Sequence, residues 1–370
     1  MNADRFISDR SRRVRESGIR RIFNLAATVE DPVDLSIGQP DFDAPDAARR
    51  AAAAAIESHR NGYTVTQGLP ELRARIIANL AHEYAEPPAV LVTSGVSGGL
   101  LLVMMVALNP GDEVIILEPY FVSYPSLVQW LDGRPVLVDC YPDFRLDPRR
   151  VAAAITPRTK LLLLNSPNNP TGVVYDPAAV REVCEIAERH DLLVVSDEIY
   201  RNLAYDGAVA SPVQYAPQRT ILLRGFGKSY GVTGWRMGYA AGPAELITAM
   251  GNMQQYTFVC APSIAQHGIL AAMDVDMSGV TQAYRNKRDL VAAELQGRYE
   301  FTRPSGGFYF FLKVPARYAS GTKFAEAALE RKLLCVPGCV FGGRDTHVRI
   351  SYAAPDATLR RGCEILKAMA

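Results

Sequence analysis

Short, continuous apolar runs alternate along the chain with longer stretches whose apolar positions recur at helical spacing. The runs VLVTSG (90–95), EVIILEP (113–119), KLLLLNSP (160–167), DLLVVSDE (191–198) and RTILLRG (219–225) predict buried strands. Between them, the segment after Gly95 predicts a helix to about Leu108, and PRRVAAAI a short helix. PAAVREVCEIAERH (177–190) predicts an amphipathic helix with Val180, Val183, Cys184 and Ala187 inward. AARRAAAAAI (47–56) is a strong helix former. Unbroken apolar strands separated by helices predict an α/β fold, a mostly parallel central sheet with helices on both faces.

The pattern changes after residue 265. A long helix, roughly 280–295, is followed by GGFYFFLKV, a helix near 322–333, and HVRISYA. These elements predict a smaller α+β domain. The expected division is 1–45 as an N-terminal arm and part of the small domain, 46–270 as the large domain, and 271–370 as the small C-terminal domain. The arginine-rich stretch RFISDRSRRVRESGIRR (5–21) predicts a solvated amphipathic arm or helix. Asp4, Asp9 and Glu16 set it apart from an acid-poor transit peptide.

Residues 87–111 carry no charge, but serine and glycine interrupt their centre, so a strand running into a buried helix is expected rather than a membrane span. The chain has 370 residues and a net charge of +1, which gives no bulk field favouring nucleic acid. Its six cysteines form no CxxC pair, and its five histidines form no HExxH or Cys/His cluster. Reduced thiols in a cytoplasmic protein are expected, with no metal site and no membrane or nucleic-acid partner.

The chemistry collects where the strands end. VLVTSG leads into Gly95, Val96 and Ser97 at a helix start, and EVIILEP into Tyr120 and Phe121. KLLLLNSP leads into Asn168 and Asn169, LLVVSD ends on Asp197 with Tyr200 close behind, and TILLRG leads to Lys228 between Gly227 and Ser229. Parallel sheets bind ligands outside their carboxyl strand ends. Lysine forms an imine with an aldehyde, a carboxylate keeps a pyridine nitrogen protonated, and a phenol and an amide serve the ring oxygen. A helix start with an arginine suits a phosphate, and an aromatic stacks on a flat ring. Together these groups match pyridoxal 5′-phosphate.

The chain resembles class I aminotransferases of pyridoxal-phosphate fold type I. The resemblance runs from SIGQPDFDAP (36–45) through GYTVTQGLPELR, VTSGVSGG, LNPGDEVIILEPYFVSYP, NSPNNPTG, VSDEIY, GFGKSYGVTGWRMGY, PSGGFYFF and VPGCVFG to HVRISYA (347–353). NPTG, then DEIY, then the lysine followed by GWRxGY, in that order and spacing, is its specific core. The resemblance implies that Lys228 holds the cofactor as a Schiff base and shuttles a proton, and that Asp197 pairs with the pyridine nitrogen. It implies that Asn169 and Tyr200 bond the ring oxygen, that Phe121 stacks on the ring, and that Gly95, Val96, Ser97 and Arg236 hold the phosphate. It further implies that Arg349 clamps the substrate α-carboxylate with Asn169 nearby, that Gly38 lets the N-terminal segment approach it, and that Tyr63 reaches the phosphate of a neighbouring subunit in a homodimer. The implied activity is transfer of an amino group from an L-amino acid to a 2-oxo acid; the alternative is a pyridoxal-phosphate β-lyase or another enzyme acting at Cα or Cβ.

A P-loop reading of GKS fails because Leu222 stands where that motif needs glycine, and GxGxxG fails at Tyr230. The chain also departs from the family pattern. Gly225 and Gly227 stand where many relatives have serine, so the phosphate is expected to rely on Ser97, Arg236 and backbone donors. Ser97 stands where an aspartate-handling branch has lysine, which points the expected donor toward neutral or aromatic amino acids.

Overall fold

The computed structural model describes residues 1–13, 18–19 and 29–370. The expected N-terminal arm is seen in part, as a 3-10 turn over Ala3–Phe6 and a helix over Asp9–Arg13, while 14–17 and 20–28 lie outside the described residues. The described strands, in chain order, are β1 (Val33–Asp34), β2 (Ala89–Ser94), β3 (Glu113–Glu118), β4 (Arg134–Asp139), β5 (Thr159–Asn165) and β6 (Leu193–Asp197). They continue with β7 (Thr220–Gly225), β8 (Met237–Gly242), β9 (Tyr309–Lys313), β10 (Leu333–Leu334), β11 (Val336–Pro337) and β12 (His347–Ser351).

Seven of these form the central sheet in the order β2-β8-β7-β6-β5-β3-β4. All neighbours are parallel except at β8, which runs antiparallel to both β2 and β7. The mostly parallel sheet is therefore as expected, with two strands the apolar pattern did not announce. RPVLVD makes β4, an edge strand with Arg134 and Leu137 exposed, where a proline costs no ladder bond that a neighbour needs. MGYAAG makes β8, which lacks β-branched residues yet is wholly buried. A β-carbon at Gly238 would lie 2.8 Å from the Gly95 carbonyl carbon and the Val96 nitrogen, so close packing against the helix start selects glycine over propensity.

The parallel strands all end at one edge of the sheet. Because β8 is reversed, it begins at that same edge, so the connection from β7 to β8 delivers both Lys228 and Arg236 there. The helix Gly95–Ala107 is apolar and largely buried behind this edge. The helix Pro177–Arg189 buries Val180, Val183, Cys184, Ile186 and Ala187, and Asp176 caps it by accepting from the Ala178 and Ala179 N–H groups at 2.8 and 3.3 Å. No described helix is long and apolar enough to cross a membrane.

The second sheet, in order β11-β12-β9, is antiparallel. Helices Ser278–Leu295, Gly321–Glu330 and Asp356–Ala368 accompany it. Tyr284, Val291, Leu295, Phe324, Leu359 and Leu366 share one apolar cluster with Val33 and Leu35, and β1 pairs in parallel with β10. The N-terminal segment is thereby fastened to the C-terminal unit while its next residues, near Gly38, face the large sheet.

Buried charges staple the sheet edge. Arg224, at the end of β7, donates to Glu83 through Nη1 and Nη2 at 2.7 and 2.6 Å, and to Glu198 Oε2 through Nε and Nη2 at 3.0 and 2.8 Å. Arg201 Nη1 reaches Glu198 Oε2 at 3.1 Å, and the Glu198 N–H donates to the Leu223 carbonyl at 2.9 Å. Burial alone would raise the Glu83 carboxyl, but the two arginines outweigh it and hold it below its ordinary range. Replacing Arg224 with methionine leaves two buried carboxylates short of a partner. Arg224→Met is expected to cost roughly 3–5 kcal/mol of unfolding free energy, measured by denaturant titration. A loss below about 1 kcal/mol would show the staple to be dispensable.

Candidate active site

The ends of β2, β3, β5, β6 and β7 and the start of β8 border one cavity of ≈ 310 Å³. It is lined by Gly38, Gly95, Val96, Ser97, Phe121, Asn169, Asp197, Tyr200, Lys228, Arg236 and Arg349, all of them expected from the sequence. Tyr63 is the exception: it is 85% exposed and lies away from this cavity.

Asp197 ends β6 and is buried. Its Oδ2 accepts from the Tyr124 hydroxyl at 2.7 Å and its Oδ1 from the Ile199 N–H at 3.1 Å. Burial raises its carboxyl to about 6, against the opposing pull of those two donors. Lys228 Nζ donates to the Gly38 carbonyl. Burial first, then the nearby Arg349 and Arg236, lower its amine to about 8. No described ion pair joins Lys228 to Asp197.

Gly95, also on the cavity lining, opens the helix Gly95–Ala107 at φ +66°, a left-handed conformation. A β-carbon there would lie 2.9 Å from Arg236 Nη2, so glycine is needed both for the turn and for the approach of the guanidinium. Arg236 is itself left-handed, at φ +55°, and Nη1 donates to the Thr233 carbonyl at 3.1 Å. Ser94 gives the helix start no side-chain cap. Free N–H groups at a helix start beside a guanidinium make a seat for a dianion.

Arg349, which also lines the cavity, is 1% exposed. Nη1 donates to Asn169 Oδ1 at 3.0 Å and Nη2 to the Ser36 carbonyl at 2.8 Å, while Nε has no partner. Its guanidinium lies over the rings of Tyr309 and Phe341, 4.3 and 4.9 Å from their centroids. Phe121 meets Tyr124 edge-on at 5.6 Å, and the Tyr200 and Tyr309 hydroxyls are 3.1 Å apart.

Some residues of the site were not foreseen. Asn165, the last residue of β5, donates to the Asp197 carbonyl at 3.0 Å and accepts from the Asn169 N–H at 2.9 Å, tying the two strand ends together. Its signal was readable, since it is the polar residue that closes the run KLLLLN. Tyr124 stands one helical step from Phe121, a spacing that core aromatics share. Tyr309 sits inside the apolar run FYFFL, where nothing distinguishes it from its neighbours.

Comparison with known proteins decides the family. The model for aminotransferase class I and II matches residues 30–366. The chain belongs to this family. It is an aminotransferase built on the pyridoxal-phosphate fold type I architecture. It is 38% identical to the probable aspartate aminotransferase of Methanocaldococcus jannaschii over 98% of this chain and 99% of that one. It is 39% identical to the aspartate/prephenate aminotransferase of Thermus thermophilus over 90% of each. The solved structure of the Thermus thermophilus aspartate aminotransferase with maleate superposes with a TM-score of 0.95 at 36% identity, covering 98% of this chain and 99% of that one.

These aminotransferases depend on pyridoxal 5′-phosphate, and the cavity fits that group on its own geometry. The helix start offers an anion seat. Asp197 presents a buried carboxylate with no cation, and Lys228 a half-buried amine with no carboxylate. Two such charges held apart are costly, each about 3 kcal/mol for a shift of about two pH units. For Lys228 the cost is complete below about pH 8 and disappears as pH rises toward 10.5. Lys228→Met is therefore expected to stabilise the cofactor-free protein at pH 7 by up to about 3 kcal/mol. The advantage should shrink on raising the pH past 8. Denaturant unfolding of both proteins at pH 7 and pH 10 measures it, and an equal difference at both would show that the amine is not desolvated.

Proposed function

We propose that this aminotransferase takes its amino group from a neutral or aromatic L-amino acid and passes it to a 2-oxo acid. The observation that carries this reading is the cation inventory of the cavity. Among the described residues, its cationic side chains are Lys228, Arg236 and Arg349. In this reading they serve the reacting amine, the phosphate and the α-carboxylate, which leaves none for a side-chain carboxylate. Ser97 stands at the helix start, and Leu100, Phe121, Tyr124, Ile199 and Met237 complete a mainly apolar wall. A second reading, a dicarboxylic donor, is favoured by the names of the relatives, several of which are aspartate aminotransferases.

Bound in this cavity, pyridoxal phosphate supplies an aldehyde for the amino group and a ring that accepts electrons from Cα. Asp197 keeps the ring nitrogen protonated, Asn169 and Tyr200 donate to the ring oxygen, and Phe121 covers the ring face. Arg236 and the N–H groups of Gly95, Val96 and Ser97 hold the phosphate. Arg349 grips the substrate α-carboxylate bidentately, beside Asn169 and the Gly38 backbone. Lys228 Nζ, lowered toward neutrality, takes the Cα proton as general base.

The test is the absorption spectrum of the pyridoxal-phosphate-loaded protein, followed by a panel of donors with 2-oxoglutarate. The expected outcome is a visible band, lost in Lys228→Ala, and a kcat/KM for phenylalanine or leucine at least tenfold above that for aspartate. A preference for aspartate would establish the second reading. Release of ammonia without transfer to the acceptor would establish a lyase instead.

The reading extends to assembly. Tyr63, Val65, Tyr256 and Val259 are exposed, and the Gln266 side chain holds the Tyr63 segment through Thr64 Oγ1 at 3.0 Å. Such apolar side chains in the open suit a subunit interface. In a homodimer Tyr63 serves the phosphate of the other subunit. Sedimentation should give twice the chain mass, and Tyr63→Phe should weaken cofactor retention about tenfold; a monomer with full retention would overturn both. The boundaries at 45/46 and 270/271 belong to the same proposal, supported by the cluster shared by Val33, Leu35 and the C-terminal helices. A cytoplasmic setting is supported by the unpaired cysteines.

A further inference from the structure

We propose that Tyr309 is a positioning residue with two separable tasks, its ring holding Arg349 for the substrate carboxylate and its hydroxyl aiming the Tyr200 phenol at the cofactor. The proposal rests on the roles read above for Arg349 and Tyr200.

The sheet register places the two side chains together. In the β9–β12 pair, Arg349 lies opposite Phe311 and Ser351 opposite Tyr309. Alternation along each strand puts Tyr309, Phe311, Arg349 and Ser351 on one face, with Tyr309 diagonal to Arg349. The guanidinium carbon sits 4.3 Å from the Tyr309 ring centroid and 4.9 Å from that of Phe341. Arg349 is fully buried, and no described carboxylate pairs with it. The two π faces replace part of its lost hydration and fix its plane, so that the open Nε edge is held ready for an incoming carboxylate.

The hydroxyl does different work. It is 3.1 Å from the Tyr200 hydroxyl, and both side chains are buried. A β-carbon at Gly38 would lie 2.6 Å from the Tyr309 oxygen, so the phenol is confined between the Gly38 backbone and Tyr200. No other hydrogen-bond partner of the Tyr309 hydroxyl occurs among the described residues. With Tyr309 as donor, the Tyr200 proton is left for the cavity and its donation is strengthened by the bond it receives. Burial holds the Tyr200 phenol well above its ordinary range, so it keeps its proton.

The two tasks separate in two variants of the cofactor-loaded enzyme. Tyr309→Phe keeps the ring and loses the hydroxyl. Hydrogen bonding to the ring oxygen favours its more anionic, higher-pH form, so a weaker Tyr200 bond should raise the midpoint of the visible-band titration by about half to one pH unit. KM for the best donor of the panel should stay within about twofold, because the ring over Arg349 remains. Tyr309→Leu loses both, and should raise that KM about tenfold as well. In a background of Tyr200→Phe, adding Tyr309→Phe should move the midpoint no further. An unchanged midpoint in Tyr309→Phe, or additive shifts in the pair, would overturn the hydroxyl's task. An unchanged KM in Tyr309→Leu would overturn the ring's, and failure of that variant to fold leaves the Tyr309→Phe titration decisive. Absence of any visible band in the unsubstituted enzyme would instead count against the functional reading on which the proposal rests.

Discussion

The structure turns on two opposite charges, a buried carboxylate and a half-buried amine, that line one cavity and are kept from pairing. Asp197 ends β6, and Lys228 follows the adjacent parallel strand β7. A direct ion pair would be the cheapest way to bury them. Instead, Tyr124 and the Ile199 N–H occupy the carboxylate, and the Gly38 carbonyl occupies the amine. Each is held by neutral dipoles, which leave the charge available while the space between stays open. The stapling by Arg224, Glu83, Glu198 and Arg201 sits behind this edge, where a second set of charges is fully paired. One set of charges keeps the strand ends fixed so that the other set can remain unpaired.

The order of the elements explains how one chain achieves this. Parallel strands present their carboxyl ends on one side, and the reversed β8 brings a further residue, Arg236, to that side without another crossover helix. The approach is close enough that Gly95 and Gly238 have no room for side chains. Gly225 belongs to the same crowding. A β-carbon there would meet Ile199 Cδ1 at 2.5 Å and Val96 Cγ2 at 3.0 Å, so aliphatic side chains fill the space where a serine hydroxyl was foreseen in relatives. The anion seat therefore depends on the guanidinium and the helix start.

Much of this was legible in the chain itself. Five strands were visible as unbroken apolar runs, and the polar residues that close them, Asp197 and the Asn169 turn among them, marked the site edge. Strands β4 and β8 were not visible, one because an edge strand needs little apolar surface, the other because glycine and alanine serve packing there. Gly38 and Arg349 are far from those runs in sequence and carried no local signal. Only the family resemblance singled them out, and the folding of β1 onto β10 explains how the N-terminal segment comes to meet β12. Tyr124 and Tyr309 were invisible because a buried tyrosine in an apolar run looks the same whether its hydroxyl has work to do or not.

The buried arginines differ in how they are paired. Arg224, largely enclosed, is matched by Glu83 and Glu198, and the more deeply buried Arg288 by Asp206 and Asp289. Each is the cationic half of a structural pair. Arg349 is as deeply buried as Arg288, and burial pulls its guanidinium below its ordinary range, yet it has only an amide oxygen, a backbone carbonyl and two ring faces. A structural arginine so placed would be an unrelieved cost, since a carboxylate nearby would satisfy it better than anything present. The cost is intelligible if the carboxylate arrives with the substrate. The incomplete pairing is then the measure of the site's appetite for a carboxylate, and the two neighbouring aromatic rings relieve part of the cost before that carboxylate comes.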